Sequence, residues 1–245
     1  MQQPIANQKR VIIVGATSGI GLTLAEHYLA AGHLVGLTGR NESVLRRMQD
    51  KYLGTAYIEP MDVTKPILAA AQLDNMILAM QGADIIIVNA GVGFIDKSLG
   101  WEKQQLTIET NVLGFSSICS AAAKYFIQKK SGHLVGISSI ASLAGSDATP
   151  SYAASKAYVS NYLAGLRKKF IKMKLSIQVT DILPGFVDTP MGQSKQRFWV
   201  VSTDKAANQI IRAIEKNKKL AYISKRWRLI AWLMKILPDW IYNRI

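Results

Sequence analysis

Tyr152 and Lys156 stand four residues apart in the run Pro150-Ser151-Tyr152-Ala153-Ala154-Ser155-Lys156. On a helix that spacing stacks both side chains on one face. An ammonium held beside a phenol favours the phenolate, and so lowers a pKa that is ordinarily about 10. A phenol tuned in this way can give or take a proton near neutral pH. A second pattern with chemical content is Gly15-Ala16-Thr17-Ser18-Gly19-Ile20-Gly21. Glycines at such a turn let backbone N–H groups approach a pyrophosphate at the N-terminus of the next helix. The spacing is GxxxGxG rather than the commoner GxGxxG. A solvated helix face or a ligand-free tight turn would carry either pattern taken alone, so the other signals along the chain decide.

Four more signals occur in order. Asp62-Val63 and Asn89-Ala90-Gly91 each follow an apolar run, Asn111 lies in a long helical stretch, and Ser138-Ser139 close a later apolar run. Together with Tyr152 and Lys156 they resemble the short-chain dehydrogenase/reductase (SDR) family, over nearly the whole chain up to Pro184-Gly185. The resemblance implies a phosphate loop of Gly15, Thr17, Ser18, Gly19, Ile20 and Gly21, with Val14 where the family usually has Thr. It implies that Asp62 and Val63 border the adenine ring and that Asn89, Ala90 and Gly91 complete the cofactor wall. Pro184, Gly185, Val187 and Thr189 would flank the nicotinamide carboxamide.

The same resemblance assigns Asn111, Ser139, Tyr152 and Lys156 to catalysis. Tyr152 would exchange a proton with a substrate carbonyl oxygen as hydride moves. Ser139 would hydrogen-bond that oxygen, and Lys156 would tune Tyr152 while holding the nicotinamide ribose. Asn111 would hold a water linking Lys156 to solvent. Cofactor choice turns on Leu37-Thr38-Gly39-Arg40-Asn41, which offers Arg40 and no acid until Glu42. An acid there would bind a ribose 2′-hydroxyl, whereas Arg pairs with a 2′-phosphate. The expectation is NADP(H) in preference to NAD(H), although the family's other basic marker is Ser18 here.

The elements that must position these residues can be read from the apolar pattern. Apolar runs near 11–14, 34–38, 56–58, 84–88, 133–137, 175–183 and 220–223 alternate with helix-period stretches at 22–31, 42–51, 67–80, 101–130, 152–172 and 204–216. This alternation predicts an α/β fold, a single Rossmann-type doubly wound parallel sheet of about seven strands in one domain over 1–245. By resemblance the strand order is 3-2-1-4-5-6-7. Fully apolar strands predict a sheet covered on both faces.

Composition bounds the function. Of 245 residues, 49% are hydrophobic, enough for a large core. The single cysteine, Cys119, excludes a disulfide framework, and the scattered His27, His33 and His133 do not support a metal site. With no signal-peptide core or membrane-length apolar run, a cytoplasmic, reducing compartment is expected. The net charge of +14 is uneven: residues 161–245 hold 17 Lys+Arg against 5 Asp+Glu. Such charge attracts phosphorylated ligands, anionic lipid or nucleic acid, but no nucleic-acid-binding motif accompanies it.

The tail 226–245 predicts an extra amphipathic helix, in which Arg228 and Lys235 mark a narrow polar stripe, then a second short helix after Pro238. Three roles for it are open: packing on its own subunit or a symmetry mate, peripheral contact with the inner membrane face through Trp227, Trp232 and Trp240, or a lid over the substrate mouth. Phe198-Trp199-Val200-Val201 suggest an apolar lid and an apolar or lipid-like carbonyl substrate. Relatives pair through their two long helices, so the resemblance implies a homodimer or homotetramer. The rival function is a non-catalytic dinucleotide-binding sensor or interaction protein.

Overall fold

The computed structural model describes residues 8–96, 98–191 and 198–236. Seven strands form: β1 (Arg10–Val14), β2 (Leu34–Gly39), β3 (Ala56–Pro60), β4 (Ile85–Val88), β5 (Ser131–Ile137), β6 (Ser176–Pro184) and β7 (Leu220–Ile223). All neighbours pair in parallel, in the order β3-β2-β1-β4-β5-β6-β7. The helices are α1 (Gly19–Ala30), α2 (Glu42–Lys51), α3 (Pro66–Ala79), α4 (Trp101–Ile108), α5 (Phe115–Lys129), α6 (Pro150–Lys172), α7 (Thr203–Glu215) and α8 (Trp227–Ile236).

The apolar strands are explained by burial on both faces. Val11 and Ile13 of β1 pack with Leu24 of α1, Leu45 of α2 and Ile210 of α7. The alternate residues Ile12 and Val14 pack with Leu73 of α3, Ile118 of α5 and Leu163 of α6. Side chains alternate across a strand, so a strand buried on both sides reads as an unbroken apolar run. Order reverses between β1 and β4: the chain leaves β1 toward β2 and β3, then returns to build β4 to β7 on the other side. A crevice at the carboxyl edge of such a switch point is where ligands bind in doubly wound sheets. The loops after β1 to β6 all open there.

Most boundaries fall within one or two residues of the sequence expectation, and the differences that bear on the site are these. α1 starts at Gly19, because the glycine turn itself enters the helix, and α6 starts with Pro150 in its first turn, where a missing N–H costs nothing. Asp84 is not in β4; its carboxylate accepts from the backbone N–H of Arg10 (2.9 Å) and from Lys129 Nζ (2.7 Å). The expected continuous helix over 101–130 is interrupted by a π-helical segment, Glu109–Gly114, between α4 and α5. Thr110, Asn111 and Val112 are weak helix formers, and the wider turn points Asn111 into the interior at 1% exposure. The expected helix after Pro238 lies outside the described residues, as does Trp240.

The switch point requires α1 to approach β1 and β4 closely. A Cβ added at Gly21 would lie 2.0 Å from the Gly15 carbonyl oxygen and 2.5 Å from Asn89 Nδ2. Alanine normally gains ~1 kcal/mol over glycine inside a helix. A Cβ this close to backbone puts the overpacking cost at the upper end of about 1–3 kcal/mol, which outweighs that gain. Gly21→Ala is therefore expected to lower the melting temperature by about 2–8 °C, read by differential scanning calorimetry. An unchanged or raised Tm would show that the helix relaxes freely.

Candidate active site

The glycine turn begins where β1 ends. Gly15 adopts φ +88° and Gly19 φ +52°, left-handed conformations that favour glycine. The turn is fastened to both neighbouring strands: Gly15 and Ala16 N–H donate to the Thr38 carbonyl (3.0 and 2.8 Å), and Asn89 Nδ2 donates to the Gly15 carbonyl (2.7 Å). At the start of α1, the Ser18 side chain makes no capping hydrogen bond and the first turn holds no acidic residue. Bare N–H groups and the positive end of the helix dipole therefore face the crevice, which suits an anion.

Arg40 follows β2, is exposed, and makes no ion pair among the described residues. The first acid beyond it, Glu42, is engaged with Arg46 at 3.3 Å. Asp62, after β3, accepts from Thr64 N–H (3.0 Å) and Thr64 Oγ1 (2.8 Å). Partial burial works against the Asp62 carboxylate, but the Thr64 bonds and the charges of Arg40 and Lys65 hold its pKa below the usual range.

The catalytic candidates come from α6, the π-helical segment and the end of β5. Tyr152 and Lys156 share one face of α6, and Lys156 Nζ lies 5.7 Å from the Tyr152 ring centroid. Lys156 is 4% exposed, and its ammonium donates to the Ile137 carbonyl at 3.0 Å. Burial drags its pKa down to about 8, with the buried carboxylate of Asp181 on β6 pulling the other way. Asp181 is itself raised by burial and accepts from Ser138 Oγ at 2.5 Å. The expectation that Lys156 lowers the Tyr152 pKa does not describe this arrangement. Burial pushes the phenol up, and only the Ser139 hydroxyl acts against that shift.

Asn111 sits behind these groups. Its Oδ1 accepts from Val92 N–H (2.8 Å), while Nδ2 donates to the Val92 carbonyl (2.8 Å) and Ser155 Oγ (3.0 Å). It thus locks the loop after β4 to α6. Beside it, a Cβ added at Gly91 would lie 3.1 Å from Lys156 Nζ. Glycine at this position lets the ammonium approach the loop after β4 closely.

After β6, Thr189 crosses to the glycine turn: a Cβ at Gly19 would lie 3.1 Å from Thr189 Cγ2. Val187 forms a parallel bridge with Val201. At Gly185, an added Cβ would lie 1.9 Å from Trp227 Nε1, so the indole of α8 occupies the space that any other residue would need.

One cleft of ≈1090 Å³ connects these parts. It is lined by Gly15, Thr17, Ser18, Gly19, Ile20, Arg40, Asp62, Val63, Asn89, Ala90 and Gly91 at one end, and by Ser139, Tyr152, Lys156, Pro184, Gly185, Val187 and Thr189 toward the other. Two sequence-derived candidates do not line it: Gly21 sets helix packing, and Asn111 supports the wall from behind. The cleft size and the bare helix N-terminus fit a dinucleotide.

The cleft also holds Phe94, Ile95, Ile140 and Ala141, which sequence reasoning passed over, and with Phe186 of the loop after β6 they form an apolar end. Only the position of Phe94 and Ile95 just after Gly91 signalled them. Phe198 and Trp199, expected in a lid, do not line the cleft. They cluster with Trp227 at ring-centroid distances of 5.1 and 6.0 Å, and Trp227 in turn meets Phe186 at 5.6 Å. The intervening 192–197 lie outside the described residues.

A doubly wound parallel sheet with these side chains along its carboxyl edge defines a nucleotide-binding α/β protein of oxidoreductase type. Residues 9–198 match the short chain dehydrogenase family, and the chain belongs to it. Family membership brings oxidoreductase chemistry between CH–OH and C=O groups with NAD(P). A fatty acyl-CoA reductase of Acinetobacter baylyi is 32% identical over 245 residues, covering 94% of this chain and 81% of that protein. A short-chain dehydrogenase/reductase of Burkholderia phymatum in complex with NAD superposes with a TM-score of 0.82 at 20% identity, over 93% of this chain and 92% of the other. ElxO with NADP bound gives a TM-score of 0.77 at 21% identity, over 89% of this chain and 97% of its own.

The buried Lys156 has a measurable signature. Its native pKa, about 8, is depressed from 10.5. Between those values the unfolded chain holds a proton that the native protein does not, so stability rises with pH from about 8 toward 10. The slope from this group approaches ~1.4 kcal/mol per pH unit; from about pH 9 the buried Cys119 thiol, and above this window the raised Tyr152, act in the opposite sense. Urea denaturation across the window is expected to give a more positive slope of stability against pH in the wild type than in Lys156→Met; equal slopes would contradict it.

Proposed function

We propose that the protein is an NADP(H)-dependent oxidoreductase that interconverts a carbonyl and a secondary alcohol on an apolar or lipid-like substrate. The carrying observation is that Ser139, Tyr152 and Lys156 meet at one end of a cleft whose other end is a glycine turn with a bare helix N-terminus. A non-catalytic sensor would need only the second of these.

Gly15, Thr17, Ser18, Gly19 and Ile20 hold the pyrophosphate, Asp62 and Val63 border the adenine, and Asn89, Ala90 and Gly91 form the wall beside them. Lys156 reaches the nicotinamide ribose, and Pro184, Gly185, Val187 and Thr189 flank the ring. When bound, the cofactor supplies or accepts the hydride. The chain's own residues manage the proton: Tyr152 donates it to the carbonyl oxygen in reduction and takes it back in oxidation. Ser139 donates a hydrogen bond to the same oxygen and orients it. The Ser139 hydroxyl also eases formation of the phenolate left behind, acting against the burial of the phenol, and Asn111 positions the hydrated path by which Tyr152 regains a proton.

Arg40 supports the cofactor preference, since an exposed guanidinium with no ion pair among the described residues suits a 2′-phosphate. The apolar end formed by Phe94, Ile95, Ile140, Ala141 and Phe186 supports the substrate class, as does the resemblance to a fatty acyl-CoA reductase. The chain acts as one domain, and the exposed Ile108, Leu113 and Tyr158 suit assembly of a homodimer or homotetramer through α4–α5 and α6.

Two measurements test this. Tyr152→Phe is expected to cut NADPH-dependent turnover of an apolar ketone or aldehyde by ~100-fold or more, while NADPH still raises the Tm. NADPH binding by the wild type without turnover of any carbonyl would favour the sensor instead. Arg40→Ser is expected to raise the KM for NADPH ~10–100-fold, about 1.4–2.8 kcal/mol, with little change for NADH. Stronger stabilisation of the wild type by NADH than by NADPH would overturn the preference.

A further inference from the structure

The helix α8 is apolar on both sides. Its inner side buries Trp227 (5% exposed) and Ala231 (1%) against the body of the protein. Its outer side carries Leu229 (66%), Trp232 (61%) and Leu233 (43%), at spacings of three and four residues that place them on one face. A surface helix in water carries polar residues there. A second exposed apolar segment packs at the start of the same helix. Trp227 packs against Phe198 and Trp199, so the exposed Phe198 (50%), Trp199 (39%) and Val200 (41%) lie beside the start of the helix.

Basic residues border this patch. Lys225, Arg226 and Arg228 are exposed at the N-terminal end of α8 and make no ion pair among the described residues. In sequence, the whole stretch from Lys216 to Pro238 contains no Asp or Glu. Bare leucine and tryptophan flanked by uncompensated Lys and Arg match a bilayer interface, where apolar side chains and indole rings enter the headgroup region and basic groups meet lipid phosphate. A nucleic acid would use the charges but leave the apolar face in water.

The patch also lies next to the mouth of the cleft. α8 packs on the 3₁₀ turn Ile140–Leu143 that follows Ser139, and Ile140 and Ala141 of that turn line the cleft. Phe186 lines the cleft as well and touches Trp227.

We propose that the outer face of α8, with Phe198, Trp199 and Val200 and the basic edge Lys225, Arg226 and Arg228, seats the protein on an anionic lipid surface. Seated in this way, the cleft mouth opens beside the bilayer, where apolar molecules partition. Lipid binding is independent of the proposed reaction and is tested without turnover.

The test is flotation of the full chain with vesicles of phosphatidylcholine alone and with added phosphatidylserine, at low and high salt. The expected result is ~10-fold or greater enrichment on the phosphatidylserine vesicles, reduced by salt. The variant Leu229→Ser/Trp232→Ser/Leu233→Ser should lose binding to both vesicle types. Lys225→Gln/Arg226→Gln/Arg228→Gln should lose the preference for phosphatidylserine alone. Both should retain the wild-type melting temperature and molecular mass, and the charge variant, whose side chains point into solvent, keeps the test decisive if the apolar variant misfolds. Three results would overturn the proposal: no flotation of the wild type with phosphatidylserine vesicles, binding that survives both sets of substitutions, or a fall in mass by light scattering in the apolar variant. The last would make the face a contact between copies of the chain.

Discussion

The arrangement depends on the hydrogen bond from Asn89 Nδ2 to the Gly15 carbonyl (2.7 Å) and on the missing side chain at Gly21 that makes room for it. These tie β1, β4 and the first turn of α1 together at the point where the sheet reverses its winding. With α1 drawn in, its bare N-terminus faces the crevice. With β4 held beside the glycine turn, Gly91 comes to lie over Lys156.

The second constraint is electrostatic. Lys156 is a buried cation, and its burial is tolerable because the Ile137 carbonyl accepts a hydrogen bond from it and Asp181 lies within range as a countercharge. Buried charges need both a hydrogen-bond partner and an opposite charge nearby. The same burial raises the Tyr152 phenol, so the pair does not behave as the isolated i,i+4 pattern would suggest. Ser138 holds the Asp181 carboxylate from below while its neighbour Ser139 faces the phenol. Adjacent serines therefore support opposite ends of one polar network, because successive residues leaving a strand point to opposite sides.

The C-terminal region completes the site from outside. Trp227 fills the space over Gly185 and meets Phe186, which lines the cleft. The loop after β6 is thereby backed by an indole contributed from about forty residues further along the chain. Helix α8 backs the wall of the cleft on its inner side and presents an apolar surface on its outer side. Among the described residues, no helix is long and apolar enough to cross a membrane.

Much of this was legible in the sequence. Unbroken apolar runs such as Val11–Val14 determine strands covered on both faces, and glycines at 15, 19 and 21 determine a tight strand-to-helix turn, because these are local consequences of period and backbone sterics. The spacing of Tyr152 and Lys156 determined that they share a helix face. What the pattern could not carry were effects of distant chain segments. The π-helical turn at Asn111 arises from packing of that stretch on the loop after β4 and on α6, so helix periodicity alone did not show it. Phe198 and Trp199 look like a lid in sequence but turn toward Trp227, a partner no local rule supplies. The direction of the Tyr152 pKa shift also belongs to the tertiary structure: spacing sets which side chains are neighbours, whereas desolvation depends on everything packed around them.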